Sequence, residues 1–361
     1  MNTLLTVTPR EALPLLERAG AAAVGAESPL VFGQGGTGGV IAVGERSADP
    51  RSACSILVRE LLTPQGSVRV GLIGSVATDP AWQGQGLATR VLIEAEAALA
   101  ARGCHLALLW ANEPRFYYAR GYRPVGAEVD VTLRPDLASR LPAAAGVRAY
   151  RDSDAPAAHA LYCAHASRVD RRPEETRALF AVPGMSTLVL ERGGAVTAFA
   201  CLGRGLDLKD VVHEWGGATD DVLALLRAHL TGRCAAGGEG TLFLMAPSNS
   251  DGLVRRLAEL GCEATVGILG LGRVLDHVAC AELLQRLIGA AGTAAFHADP
   301  AGPGVLLTTP RGEAHLTDDL LLALLFPAYG LDDEVQELRR SFGLQSARFP
   351  LELFAWGLDS I

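Results

Sequence analysis

The chain has 361 residues, 49% of them hydrophobic and 20% charged, with a formal charge of −8 at pH 7. That length allows two or three domains of ~100–200 residues each, and the composition is that of an ordinary globular protein with no segment that reads as disordered. The negative balance disfavours nucleic acid as a partner, because a phosphate-rich polymer needs a basic surface, and it weakly favours cationic substrates through long-range steering.

In chain order, residues 11–23 carry helical periodicity, and the glycine-rich stretch 33–39 reads as a flexible loop. Residues 40–43, 54–62 and 68–77 read as three strands of an antiparallel meander, with Pro64-Gln65-Gly66 as one turn. Residues 87–102 form a helix whose apolar stripe is Leu87, Val91, Ala95 and Leu99, with Gly103 as its stop. A buried strand at 105–110, a short helix at 114–120 and a strand at 127–133 complete a first block, and Ala143-Ala144-Ala145-Gly146 reads as a linker. A second block, 147–270, repeats that order loosely: helix 155–168, strands 187–191, 195–202 and 208–215, helix 222–230, strand 241–245 and helix 253–260. A third block, 271–361, opens with helix 279–288. It continues through strand 304–309 and helix 317–325, and ends in the apolar Trp356-Gly357-Leu358-Asp359-Ser360-Ile361. Chain ends are usually polar and frayed, so this one is expected to dock.

Seven scattered cysteines without a C-x-x-C pair read as buried free thiols, in keeping with a reducing cytoplasm, with neither a disulfide framework nor a metal site. The N-terminus lacks a basic region followed by an apolar stretch, so no signal peptide is expected. Apolar runs such as 320–326 are too short to span a bilayer, so no membrane role is expected.

The most informative segment is Gln83-Gly84-Gln85-Gly86-Leu87-Ala88, between the third meander strand and the helix. Successive main-chain N–H groups in a tight turn form an anion nest, and the helix N-terminus adds free donors and a positive dipole end. Gly84 and Gly86 remove side chains that would block a diphosphate. Alone, a glycine pair before a helix is more often just a turn. No G-x-G-x-x-G follows a βαβ strand, and no Gly-Lys-Ser/Thr follows, so neither a dinucleotide fold nor a Walker loop fits.

With the preceding Val76-Ala77-Thr78, the segment resembles the signature of the GNAT acetyltransferase superfamily, a strand followed by Q/R-x-x-G-x-G/A, with Gln83, Gly86 and Ala88 at its fixed positions. A second segment, Asn112-Glu113-Pro114-Arg115-Phe116-Tyr117-Tyr118-Ala119-Arg120-Gly121-Tyr122, resembles the family's asparagine, Phe-Tyr and Gly-Tyr/Phe segment. The resemblance implies acetyl-CoA as acyl donor. It assigns Val76 and Thr78 main-chain contacts to pantetheine, Gln83, Gly84, Gln85, Gly86, Leu87, Ala88 and Thr89 to the diphosphate, and Asn112 to the pantetheine arm. It implies direct attack of an amine on the thioester, an oxyanion held by a main-chain N–H, and Tyr117 as the acid that meets the leaving thiolate; the alternative is a packing aromatic. Tyr118 is the competitor, about 100° around the helix from Tyr117.

The three-block plan resembles the enhanced-intracellular-survival (Eis-type) acetyltransferases. That implies an α/β fold class: tandem GNAT folds, each a mixed, largely antiparallel sheet flanked by helices, and a smaller α+β sterol-carrier-protein-like domain. The implied boundaries are 1–142, 147–270 and 271–361, although the third block is shorter than the Eis pattern. In that family the C-terminal carboxylate is the base, which here is Ile361, and symmetric homo-oligomers are common. The second block has Val212-His213-Glu214-Trp215-Gly216-Gly217-Ala218-Thr219-Asp220-Asp221 where a glycine turn would stand. Its two aspartates would repel a diphosphate, so it is read as unable to bind CoA. His213 and Glu214 are either walls of an acceptor cavity or a satisfied polar pair. The expected activity is N-acetylation of a primary amine, on an aminoglycoside- or polyamine-like small molecule or a lysine. The alternatives are a CoA-binding sensor without catalysis and a tandem-GNAT enzyme of the mycothiol-synthase kind.

Overall fold

The computed structural model describes residues 2–19, 23–47, 49–205, 208–235, 240–248, 251–289 and 293–361. They divide into two compact units, one from 1–127, 268–353 and 360–361, the other from 128–267 and 354–359. Mixed, largely antiparallel sheets flanked by helices build both, the architecture expected from the sequence.

The first unit begins with β1 (Thr3–Leu5) and α1 (Pro9–Ala19). Ala12, Leu15 and Leu16 form the buried stripe of α1, and the Glu11 carboxylate accepts from the Thr8 N–H at 2.7 Å to close its first turn. The far end of the predicted helix 11–23 lies outside the described residues from 20 to 22. Short helices α2 (Val24–Glu27) and α3 (Pro29–Phe32) lead into β2 (Gly39–Arg46), β3 (Asp49–Thr63) and β4 (Gly66–Thr78). These three pair as the predicted antiparallel meander, with β1 on the outer edge of β2. The hairpin between β3 and β4 closes where the Thr63 hydroxyl accepts from the N–H groups of Gln65 and Gly66.

Helix α4 (Leu87–Ala100) lies on the meander through the predicted stripe of Leu87, Val91, Ala95 and Leu99, all at most 5% exposed. Gly71 lets it approach closely: a methyl group there would sit 2.5 Å from Leu99 Cδ1. β5 (Leu106–Leu109) is parallel to β4, and α5 (Pro114–Tyr118) comes next.

The chain passes into the second unit within β6 (Arg123–Leu133). Then come β7 (Val147–Ala149), α6 (Ala155–Cys163), β8 (Arg168–Val169), α7 (Pro173–Phe180), β9 (Ser186–Arg192) and β10 (Ala195–Leu202). β11 (Val211–Gly217), α8 (Thr219–Ala235), β12 (Leu242–Pro247) and α9 (Asp251–Glu259) complete it. Its strands run in the order β6-β12-β11-β10-β9-β7, with β11 and β12 parallel. Helix α6 stops at Cys163, five residues short of the predicted end at 168. The Tyr162 hydroxyl accepts from the Val169 N–H at 2.9 Å, which draws 168–169 into extended backbone. Helix α7 is absent from the sequence expectation, although its signals are present: Pro173 at the first position and Glu175, whose carboxylate accepts from the Arg172 N–H at 2.9 Å.

The electrostatic centre of this unit is Arg171. Its guanidinium, fully buried, donates to both oxygens of Glu214 at 2.8 and 2.7 Å and to Asp359 Oδ1 at 2.7 Å. The Tyr162 hydroxyl donates to the second Asp359 oxygen at 3.0 Å, and its ring lies 3.9 Å beneath the guanidinium carbon. One cation between two carboxylates is tolerable in a dry interior only because nearly every polar atom is matched. His213, beside Glu214, is 0% exposed and held neutral, its pKa pushed down to about 3 by burial and by Arg204. The pair His213 and Glu214 is therefore internal to the fold; Glu214 serves Arg171 and faces no acceptor.

β13 (Ala264–Val274) carries the chain back and pairs antiparallel with β5. Its glycines hide it from strand propensity, and packing explains them: methyl groups at Gly270 and Gly272 would lie 2.9 Å from the Leu109 carbonyl oxygen and 2.8 Å from Val125. α10 (His277–Ile288) is capped by Asp276, and β14 (Ala295–Ala298), β15 (Val305–Thr309) and β16 (Gly312–Leu316) form a separate antiparallel sheet. α11 (Asp318–Leu325) and α12 (Asp333–Ser341) come last, capped by Thr317 and Asp332. All seven cysteines are free; Cys54, Cys104, Cys201 and Cys280 are buried as expected, whereas Cys234 is exposed. No helix among the described residues is long and apolar enough to cross a membrane.

Arg171→Met strands Glu214 and Asp359 in the interior without their cation. The expected loss is about 3–5 kcal/mol of stability, measured by denaturant unfolding. A change below about 1 kcal/mol would show that the network contributes little.

Candidate active site

The site grows from a parting of strands. β4 and β5 pair at Val70, Gly71 and Leu72 opposite Leu106, Ala107 and Leu108, and among the described residues no pairing between them continues beyond. β5 ends at Leu109, while β4 runs on to Thr78. On its other side, β4 has a bulge: the two steps from Ala53 to Ser55 on β3 face the three steps from Gly74 to Ala77. The extra residue is accommodated by Ser75, whose φ of +49° lies in the left-handed region, unusual for a side chain with a Cβ. From Ile73 to Thr78 the main chain thus presents an edge toward a space that β5 does not fill.

The C-terminus reaches this edge. Ile361 rests on Gly74 so closely that a methyl group there would sit 2.1 Å from the terminal carbonyl oxygen and 2.4 Å from its carbon. Gly74 has no positive φ and is required for this close approach alone. The expected docked end is thereby present, with its carboxyl group against the bulge, at a glycine two positions before Val76.

Past the bulge, Thr78 is tied to β3 through its hydroxyl, 2.9 Å from the Ser52 hydroxyl, and its carbonyl accepts from the Gln83 side chain at 3.4 Å. Asp79 accepts from the Ala81 N–H at 3.0 Å and pairs with Arg18, fixing the 3-10 turn Pro80–Trp82. Gln83, Gly84, Gln85 and Gly86 are exposed, Leu87 is buried beneath α4, and Ala88 and Thr89 are half-buried. Gly84 and Gly86 have φ of +75° and +74°, and a methyl group on either would meet no protein atom within 4 Å. Glycine is therefore needed for the turn's handedness, and the space outside it is open. Gly86 caps α4 without a side-chain acceptor, so the first N–H groups of the helix remain free to bind an anion.

Asn112 lies exposed just beyond β5, and Tyr117 is on α5. The Tyr117 ring is half-buried against the core under α4, edge-on to Phe116 at 5.0 Å and to Tyr122 at 5.7 Å. Its hydroxyl makes no hydrogen bond to a described residue. Burial raises the phenol above its ordinary value, with Cys54 adding and Arg120 opposing, so it is protonated at neutral pH. Tyr118 is 38% exposed and points elsewhere, as the helical angle requires. Neighbouring Tyr122 is committed to the fold: its hydroxyl donates to buried Glu96 at 2.9 Å, and Glu96 also accepts from Arg273 at 2.5 Å.

The second unit contains a counterpart that is built differently. β11 and β12 also part, after Val211 and Val212 opposite Phe243 and Leu244. There the Trp215 indole N–H reaches across to the Met245 carbonyl at 3.2 Å. Asp220 and Asp221 occupy the first turn of α8, where Asp221 is engaged by Arg192 and Thr197. A tryptophan bridge between the parted strands and an acidic helix start stand where the first unit has a free edge and a glycine turn.

One residue of the site that the sequence does not single out is Arg120, which stands over the Phe116 ring 3.6 Å from its centroid and donates to Thr89 Oγ1. Its only local signal is its place before Gly121 in the second signature, where an arginine reads as a solvated helix end.

An acetyltransferase (GNAT) domain model matches residues 43–125, from within β2 to the start of β6. Solved structures share the fold along nearly the whole chain. A GCN5-related N-acetyltransferase from Kribbella flavida is 17% identical, with a TM-score of 0.62 and all of both chains covered. A conserved protein of unknown function from Enterococcus faecalis V583, described as a probable N-acyltransferase, is 13% identical with a TM-score of 0.62, covering 88% of this chain and 85% of that one. Eis1 from Mycobacterium abscessus is 15% identical with a TM-score of 0.56, covering 100% and 99%. No curated protein matches the sequence.

Gly74→Ala should push Ile361 off its seat, an overpacking cost of about 1–3 kcal/mol that leaves the remainder folded. Carboxypeptidase digestion followed by intact mass checks this, with Ile361 released faster than from the parent protein. Equal release rates would show that the chain end is not seated there.

Proposed function

We propose that this chain, an acyltransferase whose residues 43–125 form a GNAT acetyltransferase domain, moves an acetyl group from acetyl-CoA to a primary amine of a small molecule or a lysine. The observation that carries the reading is the parting of β4 from β5 beside the open Gly84–Gly86 turn. An extended pantetheine arm can take main-chain hydrogen bonds from Val76 and Thr78 as an added strand, with Asn112 alongside. The diphosphate then meets the N–H groups of 83–89 at the start of α4. The three-part reading of the chain, 1–142, 147–270 and 271–361, goes with this proposal as one catalytic and two supporting parts.

The chemistry derives from these positions. A neutral amine attacks the thioester carbonyl carbon, and a main-chain N–H on the free edge of β4 donates to the oxyanion of the tetrahedral intermediate. The Ile361 carboxylate, seated at Gly74, accepts the amine proton. The C–S bond breaks, and the Tyr117 phenol protonates the departing thiolate. Its hydroxyl, protonated at neutral pH and without a hydrogen-bond partner among the described residues, supports this role over that of a packing ring, and supports catalysis over a purely sensory function.

Thiol release from acetyl-CoA, measured across a panel of polyamines, aminoglycosides and lysine peptides, tests the reading; binding of CoA without release for any amine would reject it. Tyr117→Phe is expected to keep acetyl-CoA affinity while lowering turnover about ten-fold or more, and near-normal turnover would remove its role. A chain lengthened by two glycines after Ile361 moves the carboxylate away. It should fold and bind acetyl-CoA yet turn over slowly, and unimpaired turnover would rule the terminal carboxylate out as base.

A further inference from the structure

The glycine turn offers main-chain donors but no cation: Gln83 to Ala88 contains none. A diphosphate diester carries two negative charges, and individual dipole contacts contribute only ~0.3–1 kcal/mol each. Full charge must come from elsewhere in the first unit. Most arginines near this edge are already committed to carboxylates: Arg18 to Asp79 at 3.0 Å, Arg51 to Glu45 at 3.0 Å and Arg273 to Glu96 at 2.5 Å. Arg90, next to Thr89, turns away to the Asn2 carbonyl at 2.5 Å.

Arg120 differs. Its guanidinium has no carboxylate partner among the described residues. One amino group donates to Thr89 Oγ1, in the first turn of α4, and the other to the Phe116 carbonyl. The Phe116 ring backs its flat face at 3.6 Å, and its Nε is buried with no hydrogen-bond partner. A half-buried cation without a counter-ion is costly to keep. This one is also held rigidly, by two hydrogen bonds and a ring face, so little side-chain entropy is left to lose when an anion arrives. Thr89 is the last residue of the diphosphate-binding segment, so the guanidinium stands at the edge of the nest with N–H groups remaining for phosphate oxygens.

We propose that Arg120 is the charge partner of the acyl donor's diphosphate: pinned by Thr89 and Phe116, it completes the anion site that the glycine turn begins. This rests on the acetyl-CoA reading above and adds to it a binding residue. The role is in donor affinity; no bond-making step is assigned to it.

The test uses the full-length protein and three ligands that differ in the relevant group. CoA carries the diphosphate and the 3′-phosphate, dephospho-CoA only the diphosphate, and S-acetylpantetheine neither. With Arg120→Met, calorimetric Kd values for CoA and dephospho-CoA should both rise about 10- to 100-fold, the range of one charge-assisted contact. The kcat/KM for S-acetylpantetheine should stay within about two-fold, and Arg120→Lys should recover part of the CoA affinity. An equal loss for all three ligands, in a variant that unfolds like the parent, would overturn the proposal in favour of a packing role. A loss confined to CoA would overturn it by moving the contact to the 3′-phosphate, and unchanged affinities would overturn it outright. If the parent protein itself binds no CoA, the acetyl-CoA reading fails first, an outcome distinct from any of these.

Discussion

The first unit depends on one departure from sheet regularity: β4 outlasts its partner β5. Main-chain N–H and C=O groups inside a protein need partners, and a strand that loses its neighbour must find substitutes or face a ligand. The bulge at Ser75 turns the freed segment, and the left-handed φ of that residue is backbone strain held in place by the meander on the other side. The glycine turn, the uncapped start of α4 and the seat for Ile361 all lie along the edge so released. Closing the gap with a longer β5 would remove the site while leaving the core under α4 untouched.

In the second unit a similar gap is bridged by a side chain. Trp215 spans the parted strands with a hydrogen bond to Met245, satisfying the carbonyl that the divergence exposes. An indole there contributes apolar burial and a donor together, so the fold gains stability where the first unit keeps an open edge. The charge arrangement obeys the same division. In the second unit Arg171 is saturated by Glu214 and Asp359 and serves the fold. In the first, Arg120 lies on Phe116 and Thr89 and has no carboxylate partner among the described residues. Whether an arginine is saturated separates a structural cation from one available to a ligand more sharply than burial does.

Much of this is legible in the sequence because the relevant physics is local. The stripe Leu87, Val91, Ala95 and Leu99 specifies a helix and its inner face through the 3.6-residue period alone. Gly84 and Gly86 mark a turn that needs positive φ, and the meander is encoded by alternating apolar runs punctuated at Pro64–Gly66. The acidic start of α8 already distinguishes the second block from the first. Elements that escape local pattern are those whose residues are dictated by distant neighbours. β13 carries glycines because Leu109 and Val125 press on it, and α6 ends early because Tyr162 bonds to Val169.

The sequence by itself thus determined the periodic elements, the glycine turn, the two signature segments and the apolar character of the chain end, each encoded within a few residues. Only the tertiary structure decided what those segments meet: that Ile361 lies on Gly74, that Glu214 belongs to a buried arginine, that the Tyr117 hydroxyl has no partner among the described residues and that Arg120 leans on Thr89. Each joins residues between 31 and 287 positions apart, or is an absence of such a partner. Contacts across that separation are set by how sheets and helices pack, which local pattern cannot express.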